Sequence, residues 1–261
     1  MAAGACPVDK YAGCTVPPAV YDLAFGGDPR PEIDRLCLLA REAGVSVGRV
    51  LEPGCGTGRL LRAWEALGVR ATGIELSRAM AGFAQLRSGG EIYLGDMSCF
   101  ALGRTFDLIY TSANTIRHVC HDWGIKSMWG CIRHHLAPGG LFIADLELGF
   151  DAEAARVGRP VRWNLTTEDG EVHVCWEVVR PPERRTRCSR IRWEFELRGH
   201  GRRQSWSEEF DLRTYDGPEF VALAEAGRLK LDRMYELRVP YLVPLPPERA
   251  AGRMLVVLRP D

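Results

Sequence analysis

Between Pro31 and Leu148 the apolar residues alternate between a helical period and short compact runs, the pattern of helices interleaved with strands. Ile33, Leu36, Leu38, Leu39 and Ala40 form one helical stripe over Pro31–Ala43. The pattern then predicts strand Arg49–Glu52, helix Arg59–Leu67, strand Ala71–Glu75, helix Ala79–Arg87 and strand Glu91–Leu94. Strand Asp107–Thr111, helix Asp122–His135 and strand Leu141–Leu148 follow. Such alternation builds an α/β domain with a parallel sheet covered on both faces, because each crossover lays a helix against the strands. Ligands of that sheet sit beyond the carboxyl ends of its strands.

After Asp151 the period becomes two. Ile191, Trp193, Phe195 and Leu197 alternate with Arg192, Glu194, Glu196 and Arg198, which gives one strand an apolar and a charged face. Val172, Val174, Trp176 and Val178 repeat the pattern after an Asp169-Gly170 turn, and Ser205–Arg213 supplies another strand. An antiparallel sheet of three or four strands is therefore inserted before a last helix, Gly217–Ala226, and strands Leu229–Leu237 and Arg253–Leu258 close the main sheet as a hairpin. The chain divides into residues 1–150, 151–215 and 216–261. The insert reads as a lid over the strand ends or as a face on which two chains pair, and the two roles are compatible.

Residues 49–58, Arg-Val-Leu-Glu-Pro-Gly-Cys-Gly-Thr-Gly, carry the strongest chemical signal. Gly54, Gly56 and Gly58 permit positive φ and close approach of a ligand to bare backbone, ahead of a helix whose first N–H groups are free. The spacing is neither G-x-G-x-x-G nor a P-loop with its Lys-Ser/Thr. Glu52, just before the turn, repels a pyrophosphate and attracts an ammonium or sulfonium. Glu75, 75 − 56 = 19 residues after Gly56, stands at the tip of the neighbouring strand, where a carboxylate accepts both hydroxyls of a ribose. The expected ligand is a nucleoside that is cationic at one end.

With these features the chain resembles the class I S-adenosylmethionine-dependent methyltransferases. Val50–Gly58 resembles their first motif, Glu75 their ribose-binding acid and Gly95-Asp96-Met97 the segment that contacts adenine. Phe106–Tyr110 resembles their fourth strand, and Leu136–Ile143 the fifth with its preceding turn. The resemblance implies a Rossmann-like, seven-stranded, mostly parallel sheet with an inserted antiparallel sheet, and S-adenosyl-L-methionine as cofactor. It places Glu52, Gly54, Cys55, Gly56, Gly58, Glu75, Leu76, Asp96, Met97, Thr111 and Ser112 around that cofactor. Arg30, near the helix start, is a further candidate for the cofactor carboxylate.

Tyr21-Asp22-Leu23-Ala24-Phe25 is similar to the Tyr-Asp-x-x-Tyr opening of amino-sugar N,N-dimethyltransferases. In that group the tyrosine and a histidine after strand four face the methyl-transfer site, and Tyr21 and His118 match these positions. Methyl transfer from a sulfonium needs alignment more than acid–base work, with a base required only to free a lone pair. His118 suits that role by its ordinary pKa of about 6.5, although a histidine after a strand also packs helices, and Tyr21 also reads as a core aromatic. Asn114 and Arg117 are candidates for substrate contact. Phe25 in place of the second tyrosine, the extension Met1–Lys10 and the Arg117-His118 pair depart from the group. The expected reaction is transfer to a small-molecule amine. The alternatives are an oxygen or carbon acceptor, or a cofactor-binding subunit without turnover.

Composition narrows the partners. The 34 basic and 34 acidic residues balance, and no Asp/Asn-Pro-Pro-Tyr segment follows the fourth strand, so a nucleic-acid substrate is not expected. Nine cysteines without a C-x-x-C pair suggest reduced thiols and no metal site. No apolar run reaches about 18 residues, which predicts no membrane span and a cytoplasmic location. A homodimer through the inserted sheet is the one protein partner the pattern suggests.

Overall fold

A computed structural model describes residues 15–167, 170–199 and 202–261. Asp169 of the expected turn and the Met1–Lys10 extension lie outside the described residues. The first half alternates as expected: α1 (Pro18–Ala24), α2 (Arg30–Glu42), β1 (Arg49–Pro53), α3 (Arg59–Ala66), β2 (Arg70–Glu75), α4 (Arg78–Arg87), β3 (Glu91–Leu94) and β4 (Phe106–Thr111). A 3-10 turn, Thr115–His118, leads to α5 (Asp122–His135) and β5 (Leu136–Leu148). Short α6 (Phe150–Ala154) opens the insert, which consists of β6 (Val161–Thr167), β7 (Gly170–Arg180), β8 (Cys188–Gly199) and β9 (Arg202–Arg213). The chain finishes with α7 (Gly217–Ala226), β10 (Leu229–Arg238), β11 (Tyr241–Pro244) and β12 (Gly252–Pro260).

The main sheet runs β11-β10-β12-β5-β4-β1-β2-β3. β3, β2, β1, β4 and β5 are parallel, and β12, β10 and β11 add antiparallel pairs. It has eight strands, not seven. The additional one, β11, is a four-residue edge strand flanked by Pro240 and ending in Pro244, too short to show a period. It also separates β10 from β12 along the chain, so their antiparallel pairing is not the simple hairpin expected. The central strands are apolar on both faces because both are covered: Val50, Leu51, Leu108 and Ile109 are fully buried. α2 and α3 pack one face around Trp64 and Tyr110, and α5 and α7 pack the other around Trp129 and Phe220.

The insert is a four-stranded antiparallel sheet in the order β6-β7-β8-β9. Its apolar face is not open to a second chain. Val172, Val174 and Phe195 pack against Val16, Val20 and Ala24 at α1, while Val178, Ile191 and Leu212 form a second small cluster nearer the core.

Candidate active site

The turn after β1 adopts the conformation its glycines allow: φ is +74° at Gly54, +55° at Gly56 and +74° at Gly58. The N–H groups of Gly54 and Cys55 both donate to the Ile74 carbonyl, at 2.7 and 3.1 Å, which ties the turn to β2. A Cβ on Gly54 would lie 2.3 Å from Thr115 Cγ2 and 3.9 Å from Met97 Sδ, so the turn, the segment after β4 and the segment after β3 meet there. Gly56 faces open space, with nothing within 4 Å of an added Cβ. That is the bare backbone a ligand can lie against.

Glu75, half-buried at the tip of β2, accepts the Gly56 N–H at 2.9 Å and the Ser77 N–H at 2.7 Å. Oε2 thus spends one acceptor site on the glycine turn and Oε1 one on the start of α4, and acceptor capacity is left for a ligand hydroxyl. Burial raises its pKa, and the N–H groups of Ser77, Gly56 and Leu76 oppose that rise. Glu52 is only 3% exposed and is held by the Tyr110 hydroxyl at 3.0 Å and the Ser112 hydroxyl at 3.1 Å. Burial pushes its pKa up to about 8, against those two donors and the charge of Arg59. A buried carboxylate whose hydrogen-bond donors are neutral favours a cation beside it. Cys55 is buried and its thiol is held protonated, chiefly by desolvation.

Further cofactor candidates lie at the end of β4 and in the segments after β3 and β4. Asp96 closes its turn by accepting the Ser98 N–H at 2.7 Å, and Met97 lies beside Gly54. Ser112 donates to Glu52, and Thr111 is buried with an Oγ1 that has no hydrogen-bond partner among the described residues. An open glycine backbone, a carboxylate with spare acceptor capacity beside it and a buried carboxylate suited to a cation are features that fit S-adenosylmethionine.

His118 and Tyr21 meet a common aromatic roof. The residue His118 is exposed overall, but its ring packs 5.2 Å from Phe210, and desolvation together with the Arg117 charge pushes its pKa down to about 4. Phe210 packs on Trp193 at 5.3 Å, and Trp193 on Tyr21 at 6.0 Å. Tyr21 also touches Phe25 and Phe195, at 4.5 and 6.2 Å. Asn114, with φ +70°, turns its side chain to accept the Glu147 N–H at 2.7 Å. Its candidate partner differs: Arg117, expected to contact substrate, is fully buried and pairs with Glu153 at 2.7 Å. The sequence showed a charged residue beside a histidine but not the acid, 36 positions away, that buries it. Arg30 is engaged by Asp28, and its side chain is 82% exposed on that pair.

Three residues of the site were not singled out from sequence. Thr115 packs under Gly54, and its only signal is its place in the segment after β4. Arg62 donates to the Thr57 carbonyl at 2.8 Å and pairs with Asp22 at 3.1 Å, which fastens the helix of Tyr21 to the glycine turn. No local pattern announces that pair, since its members are 40 residues apart.

Known proteins share parts of this sequence and its fold. The family described as "Methyltransferase domain" matches residues 50–140. A dTDP-4-amino-2,3,4,6-tetradeoxy-D-glucose N,N-dimethyltransferase of Saccharopolyspora spinosa is 30% identical over 131 residues, 48% of this chain and 52% of that protein. A dTDP-3-amino-3,6-dideoxy-alpha-D-glucopyranose N,N-dimethyltransferase of Streptomyces fradiae is 28% identical over 130 residues, 48% of this chain and 51% of that protein. The chain therefore spans about half the length of the curated relatives it matches. Among solved structures, Streptomyces venezuelae DesVI superposes with a TM-score of 0.77 at 21% identity, covering 93% of this chain and 98% of that one. The sugar N-methyltransferase KedS8 of a Streptoalloteichus species superposes with a TM-score of 0.73 at 22% identity, covering 100% and 99%.

The fold is thus the one shared with these solved methyltransferase structures. Residues 50–140 are similar to a methyltransferase domain, and about half of the chain is similar to two amino-sugar N,N-dimethyltransferases.

Proposed function

We propose that the protein transfers methyl groups from S-adenosyl-L-methionine to the amine of a small sugar acceptor, of the nucleotide-linked kind named for its relatives. One observation carries the reading. The Gly56 N–H donates to Glu75 beside the buried Glu52, an arrangement suited to a cationic nucleoside at the strand ends, and His118, neutral well above pH 4, stands in the segment that follows β4, packed on Phe210. The bound cofactor supplies an activated methyl group. The protein's own residues do the rest: Glu75 and Glu52 fix its orientation, and the roof of Trp193 and Phe210 excludes water from the acceptor. His118 accepts the proton that an ammonium acceptor must lose before its lone pair can attack. Alignment and dryness supply most of the acceleration in such a displacement, up to roughly 7–11 kcal/mol.

The insert acts as a lid in this reading, because α1 of the same chain covers its apolar face. A homodimer through the insert then uses the opposite, polar face, where Arg162, His173, Glu194 and Arg203 line a trough of about 460 Å³. Sedimentation of the purified protein tests that part. No helix among the described residues is long and apolar enough to cross a membrane, and those residues hold no group of metal ligands.

The deciding experiment incubates the protein with labelled S-adenosylmethionine and a panel of dTDP-linked amino-deoxysugars, followed by mass spectrometry. A gain of one or two methyl groups on the amine supports the reading. Methyl transfer to a hydroxyl or carbon of the same panel, or binding without turnover, overturns it in favour of the alternatives.

A further inference from the structure

We propose that Arg117 is a positioning residue, whose buried contacts to Glu153 and to the Arg213 carbonyl hold the His118 turn in register with the insert. The guanidinium donates to Arg213 O through Nε at 2.8 Å and to Glu153 Oε1 through Nη2 at 2.7 Å, with Thr214 Oγ1 at 3.4 Å. Its Nη1 lies 3.8 Å from Glu147 Oε2. These partners come from both places where the chain crosses between core and insert. Glu147 and Glu153 stand on the way out, and Arg213 and Thr214 on the way back.

Stability alone does not account for this arrangement. A fully buried guanidinium carries a desolvation penalty that its ion pair barely offsets, and an apolar side chain of similar size fills such a space at less cost. What an apolar residue lacks is the planar fork, which fixes several partners in one geometry. Arg117 occupies the third position of a four-residue turn whose last residue is His118, and its own N–H donates to Asn114 O at 2.9 Å. Little slack separates the fork from the imidazole. Phe210, which packs on His118, lies three residues before Arg213 on β9, so the same fork sets the ring and its roof relative to each other.

The inference rests on the reading that His118 meets the acceptor amine, and its test separates the two. Around the turn the charged and titratable groups among the described residues include Cys120 just after it, Glu147 on β5, Glu153 on α6, Cys188 on β8, Asp211 and Arg213 on β9 and Tyr215 beyond it, with Asp122 of α5 held by Arg213. The variants R117Q, R117K and E153Q are compared by NMR titration of His118 in the ligand-free protein, by calorimetry with S-adenosylhomocysteine and by steady-state kinetics. R117Q should raise the His118 midpoint above about 4 while leaving it below 6.5, because the Arg117 charge is gone and burial, the larger cause of the depression, remains. R117K keeps a positive charge and loses the planar fork, while E153Q keeps the fork and removes the charge of its acidic partner, so the midpoint should stay low in both. All three should lower kcat by roughly ten-fold or more, with cofactor affinity unchanged. Where R117Q does not fold, the two milder variants decide. Wild-type kcat and unaltered His118 chemical shifts in folded E153Q or R117K overturn the positioning role. Full activity of His118→Ala overturns the underlying reading instead, and does so without altering the titration results.

Discussion

Glu75 accepts the N–H of Gly56 at 2.9 Å, across from one strand tip to the turn after the next. The carboxylate is therefore oriented before any ligand arrives. Replacing Glu75 by Ala removes the acceptor of the ribose hydroxyls and releases the Gly56 N–H. Hydrogen bonds to a charged group contribute about 1.5–3 kcal/mol each, so S-adenosylhomocysteine should bind at least ~10-fold more weakly by calorimetry. Unchanged affinity would place the ribose elsewhere.

Gly54 and Gly56 have similar backbone angles and opposite surroundings, which separates two costs. Gly56→Ala places a methyl in open space, so the fold loses only the left-handed penalty of about 1–2 kcal/mol, while the methyl intrudes on the ligand. Gly54→Ala drives Cβ to 2.3 Å from Thr115 Cγ2 and strains the protein itself. Thermal unfolding should show the larger loss for Gly54→Ala. Calorimetry on folded Gly56→Ala should show lost cofactor binding.

Glu52 gives a pH signature. Its folded pKa of about 8 lies above the ordinary 4.5, so the protonated carboxyl is the form that the ligand-free fold prefers. Stability linked to this group is complete below about pH 4.5 and is lost as pH rises through about 8. A cationic ligand favours the carboxylate, so binding at pH 7 should release a proton. Calorimetry in buffers of different ionisation enthalpy measures that release directly. Glu52→Gln should abolish it, raise the melting temperature of the ligand-free protein at pH 8 and weaken cofactor binding. A binding enthalpy that does not depend on the buffer sinks the argument.

Much of this site could be read from sequence because its signals are local. The glycine spacing, Glu52 before the turn and Glu75 at the end of a neighbouring run all belong to stretches with a clear period, and the structure brings them together. What stayed hidden depends on distant partners. Arg117 beside His118 reads as a ligand contact until Glu153 is seen to bury it. α1 has only seven residues, too few for its apolar face to announce that it docks on the insert. β11 has four residues between prolines and no alternation.

His118→Ala should leave S-adenosylhomocysteine affinity unchanged, since none of the turn contacts passes through the ring, and should reduce turnover on an amine by roughly 10²–10⁴-fold, the usual contribution of a positioned base. With a folded pKa near 4, the wild-type imidazole is neutral throughout the neutral range. Its own acid limb in a kcat profile should therefore lie below pH 5. A limb near 6.5 would show that the ring is solvated when it works.

The pair Asp22–Arg62 makes the last prediction. Arg62 holds the Thr57 carbonyl of the glycine turn with one nitrogen and Asp22 of α1 with another, so the helix of Tyr21 is anchored to the cofactor cradle. Asp22→Ala frees α1 while leaving Arg62 on the turn. Arg62→Ala frees both. If the anchor aligns the acceptor with the methyl group, each single variant should lower kcat/KM for the acceptor by roughly 3–10-fold, in line with a partly buried ion pair of about 1 kcal/mol. The double variant should be no worse than Arg62→Ala, because the two residues act through one link. Strictly additive losses in that double-mutant cycle would mean that α1 and the turn are held independently.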